Sequence, residues 1–285
     1  MVRLNDPSII KACDTGLLVG LNRQIIAVMN SIVPNILIDT SDIEGVILKG
    51  DKINPFLQAA AKQSLKVAIN ERRKAEGIKV QLTVNSAYRT VAQQYLLNLQ
   101  RIDGYCGITA TAPPGFSNHE GGLALDIEDQ KGWKPYFEKH NWIWIGAFDP
   151  VHFDYKFFAA TRSDLGTLGV QAFQQLWNTY NPQDKLTPDG DFGPQTEARL
   201  AQSPAGGFGA ITPRTLGLTN PPMTGDDVKK LQSALVNNKI IKISIPISGI
   251  FDQVTKDAVI QFQKATKRLA ADGLAGASTF KALGL

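Results

Sequence analysis

The chain has 285 residues, a formal net charge of +4 and a hydrophobic content of 43%, which is ordinary for a globular protein and leaves room for two domains or more. No run is apolar enough over enough length to cross a membrane, and no basic stripe interleaved with aromatics points to nucleic acid. Two cysteines, Cys13 and Cys106, are too few for a structural zinc site of their own, and they either pair or stay free.

Residues 8–33 are mostly apolar, and the run Leu17 to Ile26 predicts a helix. Residues 34–53 read as irregular. Asn54-Pro55 supplies an N-cap and a proline at the first helical position. A helix is therefore expected from there through Leu57, Ala61, Leu65, Ala68 and Ile69, ending at Gly77. Its charged run Glu71-Arg72-Arg73-Lys74 reads as a solvated end. Ile78, Val80, Leu82 and Val84 alternate, which predicts a strand over 78–84 leading into Ser86-Ala87-Tyr88-Arg89-Thr90. Residues 102–116, closing on Pro113-Pro114-Gly115-Phe116, read as a loop.

The stretch Ser117-Asn118-His119-Glu120-Gly121-Gly122-Leu123-Ala124-Leu125-Asp126 sets one of only three histidines ahead of an aspartate. From Gly122 the pattern is that of a strand, with Leu123, Leu125 and Ile127 on one face and Ala124, Asp126 and Glu128 on the other. A carboxylate on an otherwise apolar strand is costly to bury unless something pairs with it. A metal ion is one such partner, and His119 on the preceding turn could share it, because imidazole nitrogen and carboxylate oxygen are both ordinary zinc ligands. His152, in Asp149-Pro150-Val151-His152-Phe153-Asp154-Tyr155, supplies a third ligand. Asp149, three residues ahead of it, is a nearby carboxylate able to act as general base. Asp154 shares a strand face with His152 and is placed to orient it. His140 suits the last turn of a helix, where a cation complements the dipole. Glu128 and Asp129 read as solvated or as outer partners of the site. Trp142, Ile143, Trp144 and Ile145 read as a strand buried on both faces.

The spaced pattern Ser117-x-His119-x-x-Gly122-x-Ala124-x-Asp126, followed by an acid-x-x-His152 element, resembles the VanY-type zinc peptidases. That family includes D-alanyl-D-alanine carboxypeptidases, D,D-dipeptidases and L-alanyl-D-glutamate endopeptidases of phage lysins. The resemblance runs from Lys79 to Tyr155. It implies zinc (Zn2+) bound by His119, Asp126 and His152, with a fourth position open to water. It also implies an α+β catalytic domain in which a small antiparallel sheet, flanked by helices, carries the ligands. The family usually places glutamate where Asp149 stands. Aspartate is one methylene shorter, so the backbone comes closer, the water is held less well, or the site is impaired. Ser86-x-Tyr88-Arg89-Thr90 is similar to a Ser-x-Tyr-Arg-Ser/Thr step of the family, which implies that Arg89 grips a substrate carboxylate. A guanidinium fork suits that role, and such bonds are worth roughly 1.5–3 kcal/mol. Taken alone, Arg89 would read as half of a surface ion pair. Tyr88 is either a substrate contact or a packing residue, and Gln94 falls where the family often has glutamine. Ser117 is either a substrate contact or a turn serine bonded to its own backbone. The 102–116 loop is then expected to form a rim of the cleft.

Farther on, Asp189-Gly190-x-x-Gly193-x-x-Thr196-x-x-x-Leu200 recurs as Asp272-Gly273-x-x-Gly276-x-x-Thr279-x-x-x-Leu283. Each copy follows a Val-x-x-Phe-Gln helix, Val170, Phe173 and Gln174 in the first and Val259, Phe262 and Gln263 in the second. Upstream of the second copy, Thr224 opens a helix striped by Val228, Leu231 and Leu235, and Gly249-x-Phe251-x-x-x-Thr255 follows. This region resembles the small three-helix peptidoglycan-binding module of bacterial wall hydrolases. The expected division is a zinc peptidase domain over 1–160, a helical half-repeat or appendix over 161–203, a linker rich in glycine and proline over 204–223, and an all-α module over 224–285.

The two resemblances together imply a monomeric zinc peptidase that hydrolyses peptidoglycan stem peptides, as an L-alanyl-D-glutamate endopeptidase or a D,D-carboxypeptidase. Peptidoglycan is the expected partner, with no nucleic acid and no membrane span. Such a protein works at the cell wall, outside the cell or in the periplasm. Met1 to Pro7 lacks the basic start and apolar core of a signal peptide, so a removed leader or holin-type release is expected. The competing expectation is a non-catalytic wall-binding protein with a structural zinc, and its one support is the aspartate at position 149.

Overall fold

Alternating apolar residues pair into a sheet, and two of the helices between them cover one of its faces. The computed structural model describes residues 2–50, 53–157, 161–209, 215–238, 240–266 and 269–285. It begins with α1 (Pro7–Ile10), a 3-10 turn (Thr15–Leu18) and α2 (Val19–Ile32). The short strands β1 (Ile38–Asp39), β2 (Val46–Leu48) and β3 (Phe56–Leu57) follow, then α3 (Ala59–Glu76), β4 (Leu82–Ser86) and α4 (Val91–Ile102). Next come β5 (Ala124–Ile127), α5 (Gln130–Glu138), β6 (Trp142–Trp144), β7 (His152–Tyr155), α6 (Leu165–Tyr180) and α7 (Pro194–Gln202). Strand order in the main sheet is β2-β4-β5-β7-β6. All its pairs are antiparallel except β2 with β4, so the expected antiparallel sheet carries one parallel edge strand.

Several expected boundaries move, each for a visible reason. The helix expected from Asn54 starts at Ala59. Asn54 is not its cap: the amide donates instead to the Tyr88 carbonyl and to Gln93 Oε1, and Phe56 pairs with Asp39 in a small second sheet. Part of the segment expected to be irregular pairs with β4 as β2. The strand expected from Ile78 begins only at Leu82, and Ile78 lies 69% exposed in the turn before it. β6 is an edge strand, with Trp142 buried but Ile143 and Ile145 exposed, so it is not buried on both faces. Cys13 and Cys106 form a disulfide that ties the 102–116 loop to the segment ahead of α2.

Strand alternation sorts the sheet into two faces. Leu82, Val84, Leu125, Ile127, Phe153 and Tyr155 join a core with Leu65 and Ile69 of α3 and Trp133 and Phe137 of α5. The opposite face bears Ala124, Asp126, His152 and Asp154. Register sets Asp126 across from His152 and Ala124 across from Asp154. A second core joins α2, α4 and α6, with Leu21, Ile25, Leu96, Phe173 and Trp177 among its buried members.

Two compact units divide the chain, Met1–Phe208 and Gly209–Leu285. The boundary falls later than the expected ends at 160 or 203, because α6 and α7 are built into the first unit and Ala205 and Phe208 are buried with them. Of the expected linker, 210–214 lies outside the described residues. The second unit packs α8 (Asp226–Val236), α9 (Gln253–Ala265) and α10 (Ala277–Ala282) around Leu231, Phe251, Val259 and Phe262.

The sequence repeat is a glutamine-centred turn. Gln174 accepts from the Gly190 N–H and donates to Asp189 Oδ1, the Asp191 carbonyl and Thr196 Oγ1, at 2.9–3.1 Å. Gln263 repeats those bonds with Gly273, Asp272, Leu274 and Thr279. A third copy not apparent in the sequence uses Gln232, bonded to Gly249, Ser248, Ile250 and Thr255. In all three the turn glycine has φ between +73° and +82°, where a Cβ is disfavoured. A buried glutamine with its amide fully used is also what makes the turn affordable to bury.

Candidate metal centre

β5 and β7 bring Asp126 and His152 side by side, and the turn before β5 folds His119 over them. His119 Nε2 lies 3.2 Å from Asp126 Oδ1 and 3.2 Å from His152 Nδ1, and those last two atoms are 3.0 Å apart. All three residues are buried. Ligand bonds of about 2.0–2.1 Å to a tetrahedral ion hold donor atoms a little over 3 Å apart. Three donors of this type at this spacing fit zinc, and among the described residues this is the group of three that could hold a metal. Each histidine turns its other nitrogen to an acceptor. Nδ1 of His119 lies 2.7 Å from the Ala87 carbonyl, and Nε2 of His152 lies 2.9 Å from Asp154 Oδ1.

Electrostatics follow from this packing. Burial and the nearby Arg89 cation hold the His119 pKa below its ordinary value, so its ring is neutral. At His152 burial opposes the charge, but the bonds to Asp126 and Asp154 outweigh it and push the pKa up to about 9. Burial likewise opposes ionisation of Asp126, yet its contact with His119, the bonds from both histidines and the Arg89 cation hold it well below the usual carboxylate range. Asp154 falls to about 2, its burial outweighed by His152 and Lys156. Without metal, one proton therefore sits on His152 between two carboxylates.

That proton sets a pH dependence. A histidine whose pKa rises from 6.5 to about 9 on folding stabilises the fold fully below pH 6.5, and the contribution, about 3 kcal/mol, is lost as pH rises through 9. A zinc ion held by the same nitrogen would compete with the proton, so its binding would strengthen over that interval. The denaturation midpoint of chelator-treated protein should fall from pH 6.5 to 9.5, while the increment conferred by added zinc grows. A falling midpoint that persists in His152→Gln would place the titrating group elsewhere.

The other expected residues are placed unevenly. Arg89 Nη2 is committed to Asp126 Oδ2 at 2.6 Å and its Nε donates to Ser86 Oγ at 3.0 Å, so part of the fork is already engaged within the protein. Tyr88 is 1% exposed and its hydroxyl donates to Met29 Sδ, so it packs and does not present its hydroxyl to substrate. Ser117 Oγ accepts from the His119 N–H at 3.3 Å, the turn role, and the residue also borders a cavity. That cavity, about 380 Å³, is lined by His119, His152, Arg89 and Asp149 and by residues of the expected rim loop, including Thr111 and Phe116. Gln94 borders it and donates to the Ala112 carbonyl. Asp149 sits in the turn between β6 and β7, where its carbonyl accepts the His152 N–H at 3.1 Å. His140 falls just after α5 and pairs with Glu71 away from the centre, Glu128 pairs with Lys49, and Asp129 caps α5.

Residue reasoning passed over Glu120. Its buried carboxylate accepts the N–H groups of Gly115 and Ser117, and burial pushes its pKa up to about 7. It fixes the rim loop beside His119. The signal was present, since an acid adjoining the first ligand and followed by two glycines has little solvated surface. Phe148, 84% exposed at the mouth of the cavity, also went unremarked, whereas Phe116, 76% exposed beside it, closes the expected rim loop.

Two histidines and one aspartate converge on a sheet face, beside an open cavity, as a donor set that could hold a metal ion. Residues 54–147 match the family model VanY, D-alanyl-D-alanine carboxypeptidase, and residues 224–283 match a peptidoglycan binding domain. The chain carries a VanY domain followed by a peptidoglycan-binding domain and is a peptidase of the peptidoglycan type. The first match stops short of Asp149 and His152. No curated protein and no solved structure gives a significant match.

Proposed function

We propose that the protein is a zinc-dependent peptidase that cuts an internal bond of the peptidoglycan stem peptide, the L-alanyl-D-glutamate bond, and is held on the wall by its C-terminal module. The observation that carries the zinc reading is the convergence of His119 Nε2, Asp126 Oδ1 and His152 Nδ1 within 3.2 Å of one another. Bound there, zinc would acidify a water and polarise the scissile carbonyl. Asp149 takes the proton of the attacking water and returns it to the leaving amine. Arg89 holds the outer oxygen of Asp126, so the inner one stays aimed at the centre.

The choice of an internal bond is supported by the space around the centre. One cavity borders His119, His152 and Asp149; a second, about 300 Å³, borders Asp126, Asn85, Ser86 and Gln93; Arg89 lines both. Room on two sides suits a chain that continues past the scissile bond in both directions. The commitment of Arg89 to Asp126 also leaves it a poorer clamp for a terminal carboxylate. The C-terminal module raises the effective concentration of the enzyme on an insoluble substrate without touching the chemistry.

The test is mass spectrometry of purified peptidoglycan fragments after incubation with zinc-loaded and chelator-stripped protein. Metal-dependent appearance of a D-glutamate amino terminus is expected. Loss of a single D-alanine would instead make the enzyme a carboxypeptidase. Zinc bound at one equivalent with no product from any fragment would leave a wall-binding protein.

A further inference from the structure

We infer that Asp154 is a positioning residue of the metal centre, fixing the His152 ring with its Nε2–H outward and its Nδ1 inward, and that Asn118 holds Asp154 in place. The inference rests on the zinc reading given above. Neither residue belongs to the ligand triad, and Asn118 occupies an unspecified position between Ser117 and His119.

The argument starts from strand geometry. His152 and Asp154 are two residues apart on β7 and so share a face. Across from Asp154 on β5 stands Ala124, the smallest side chain with a Cβ, at the position where a larger one would crowd the carboxylate. Asp154 is 6% exposed, and its Oδ1 lies 2.9 Å from His152 Nε2. A neutral imidazole carries its hydrogen on one nitrogen only. A carboxylate beside Nε2 places the hydrogen there, and the Nδ1 lone pair is left for the metal. His119 solves the same problem the other way, with Nδ1 against the Ala87 carbonyl and Nε2 inward. The two rings thus present different nitrogens, each selected by its own acceptor. A carboxylate polarises the ring more than a carbonyl does, which makes His152 the more basic donor of the two.

Asp154 is held in turn. Asn118 Nδ2 donates to the same Oδ1 at 2.8 Å, and Lys156 Nζ lies 3.1 Å from Oδ2. The Asn118 contact crosses from the turn bearing His119 to the strand bearing His152. Through Asp154 it ties together the two segments whose spacing sets the site. Lys156 only balances charge from the outer side, so the three neighbours separate orientation from simple ion pairing.

The measurement is zinc affinity by competition with a chromophoric chelator, together with ring nitrogen spectra of His152, on the full chain. Asp154→Ala should weaken zinc binding by about 10–100-fold and, in metal-free protein held above about pH 9 where the ring carries a single hydrogen, release His152 from the Nε2–H form. Asp154→Asn, which keeps an acceptor oxygen, should lose less than Asp154→Ala. Asn118→Ala should lose several-fold, and Lys156→Ala should stay within about twofold of wild type because its contact does not reach the ring. If Asp154→Ala fails to fold, Asp154→Asn and Asn118→Ala carry the test. Wild-type affinity and an unchanged ring form in the Asp154 and Asn118 variants would overturn the inference while leaving the zinc reading intact. A wild-type protein that takes up no zinc would overturn that reading, and the inference with it.

Discussion

Asp149→Ala should slow hydrolysis of soluble stem peptides by about 10²–10⁴ in kcat, with zinc content and KM little changed. The split matters. Asp149 is outside the His119, Asp126 and His152 triad, so on the proposed mechanism its loss removes a proton acceptor without removing a ligand. It is partly buried at the wall of the cavity shared by His119 and His152. Its own carbonyl accepts the His152 N–H, which closes the backbone into a tight turn just ahead of the third ligand. The Trp144 indole donates to the Pro150 carbonyl at 2.9 Å and steadies the same turn. A short side chain on a turn so constrained can do the work of a longer one. Asp149→Glu, one methylene longer, should retain activity within about tenfold, because the open cavity leaves room for it. Unaltered kcat in Asp149→Ala would assign proton transfer to another group. Loss of zinc along with activity would show that Asp149 supports the metal instead of the water.

Much of this centre was legible because its parts are short-range. His119 and Asp126 lie on one turn and strand, and alternation alone puts Asp126 opposite the core-facing Leu125 and Ile127. His152 and Asp154 share a face for the same reason. What resisted was anything decided by partners far away in the chain. Asn54 has the chemistry of an N-cap, yet its amide reaches across to Tyr88 and Gln93, and the helix begins later. Ile78 and Val80 continue the alternation of the strand that follows, but among the described residues no strand pairs with them, and they remain in the turn before it. Trp142 to Ile145 looks buried on both faces in sequence; as an edge strand it is not. The third glutamine-centred turn was hidden because Ser248 stands where its siblings have aspartate and Asp252 where they have glycine. The hydrogen bonds survive both changes, since a serine hydroxyl also accepts and the second glycine is not the one with positive φ. Arg89 is the instructive case: the resemblance pointed to the substrate, and the fold puts one arm of its fork on Asp126.

Asp126→Asn should empty the centre of zinc and abolish turnover, an effect larger than that of Asp149→Ala. Asp126 has two oxygens and two duties. Oδ1 faces both histidines, while Oδ2 takes Arg89 Nη2 at 2.6 Å. Asparagine keeps the volume but removes the charge from both. The centre loses its one anionic ligand, and the Arg89 side chain, 22% exposed, loses its counter-ion. Breaking such a pair from one side costs about 3 kcal/mol, because the remaining charge stays partly buried. Removing Arg89 as well takes that charge away. Asp126→Asn with Arg89→Ala should therefore be more stable than Asp126→Asn alone, while binding zinc no better. Denaturant midpoints of the chelator-treated wild type, two single variants and the double variant complete the cycle. Single effects that add within about 0.5 kcal/mol would mean that Arg89 and Asp126 are not coupled, and the guanidinium would then be free for a substrate carboxylate after all.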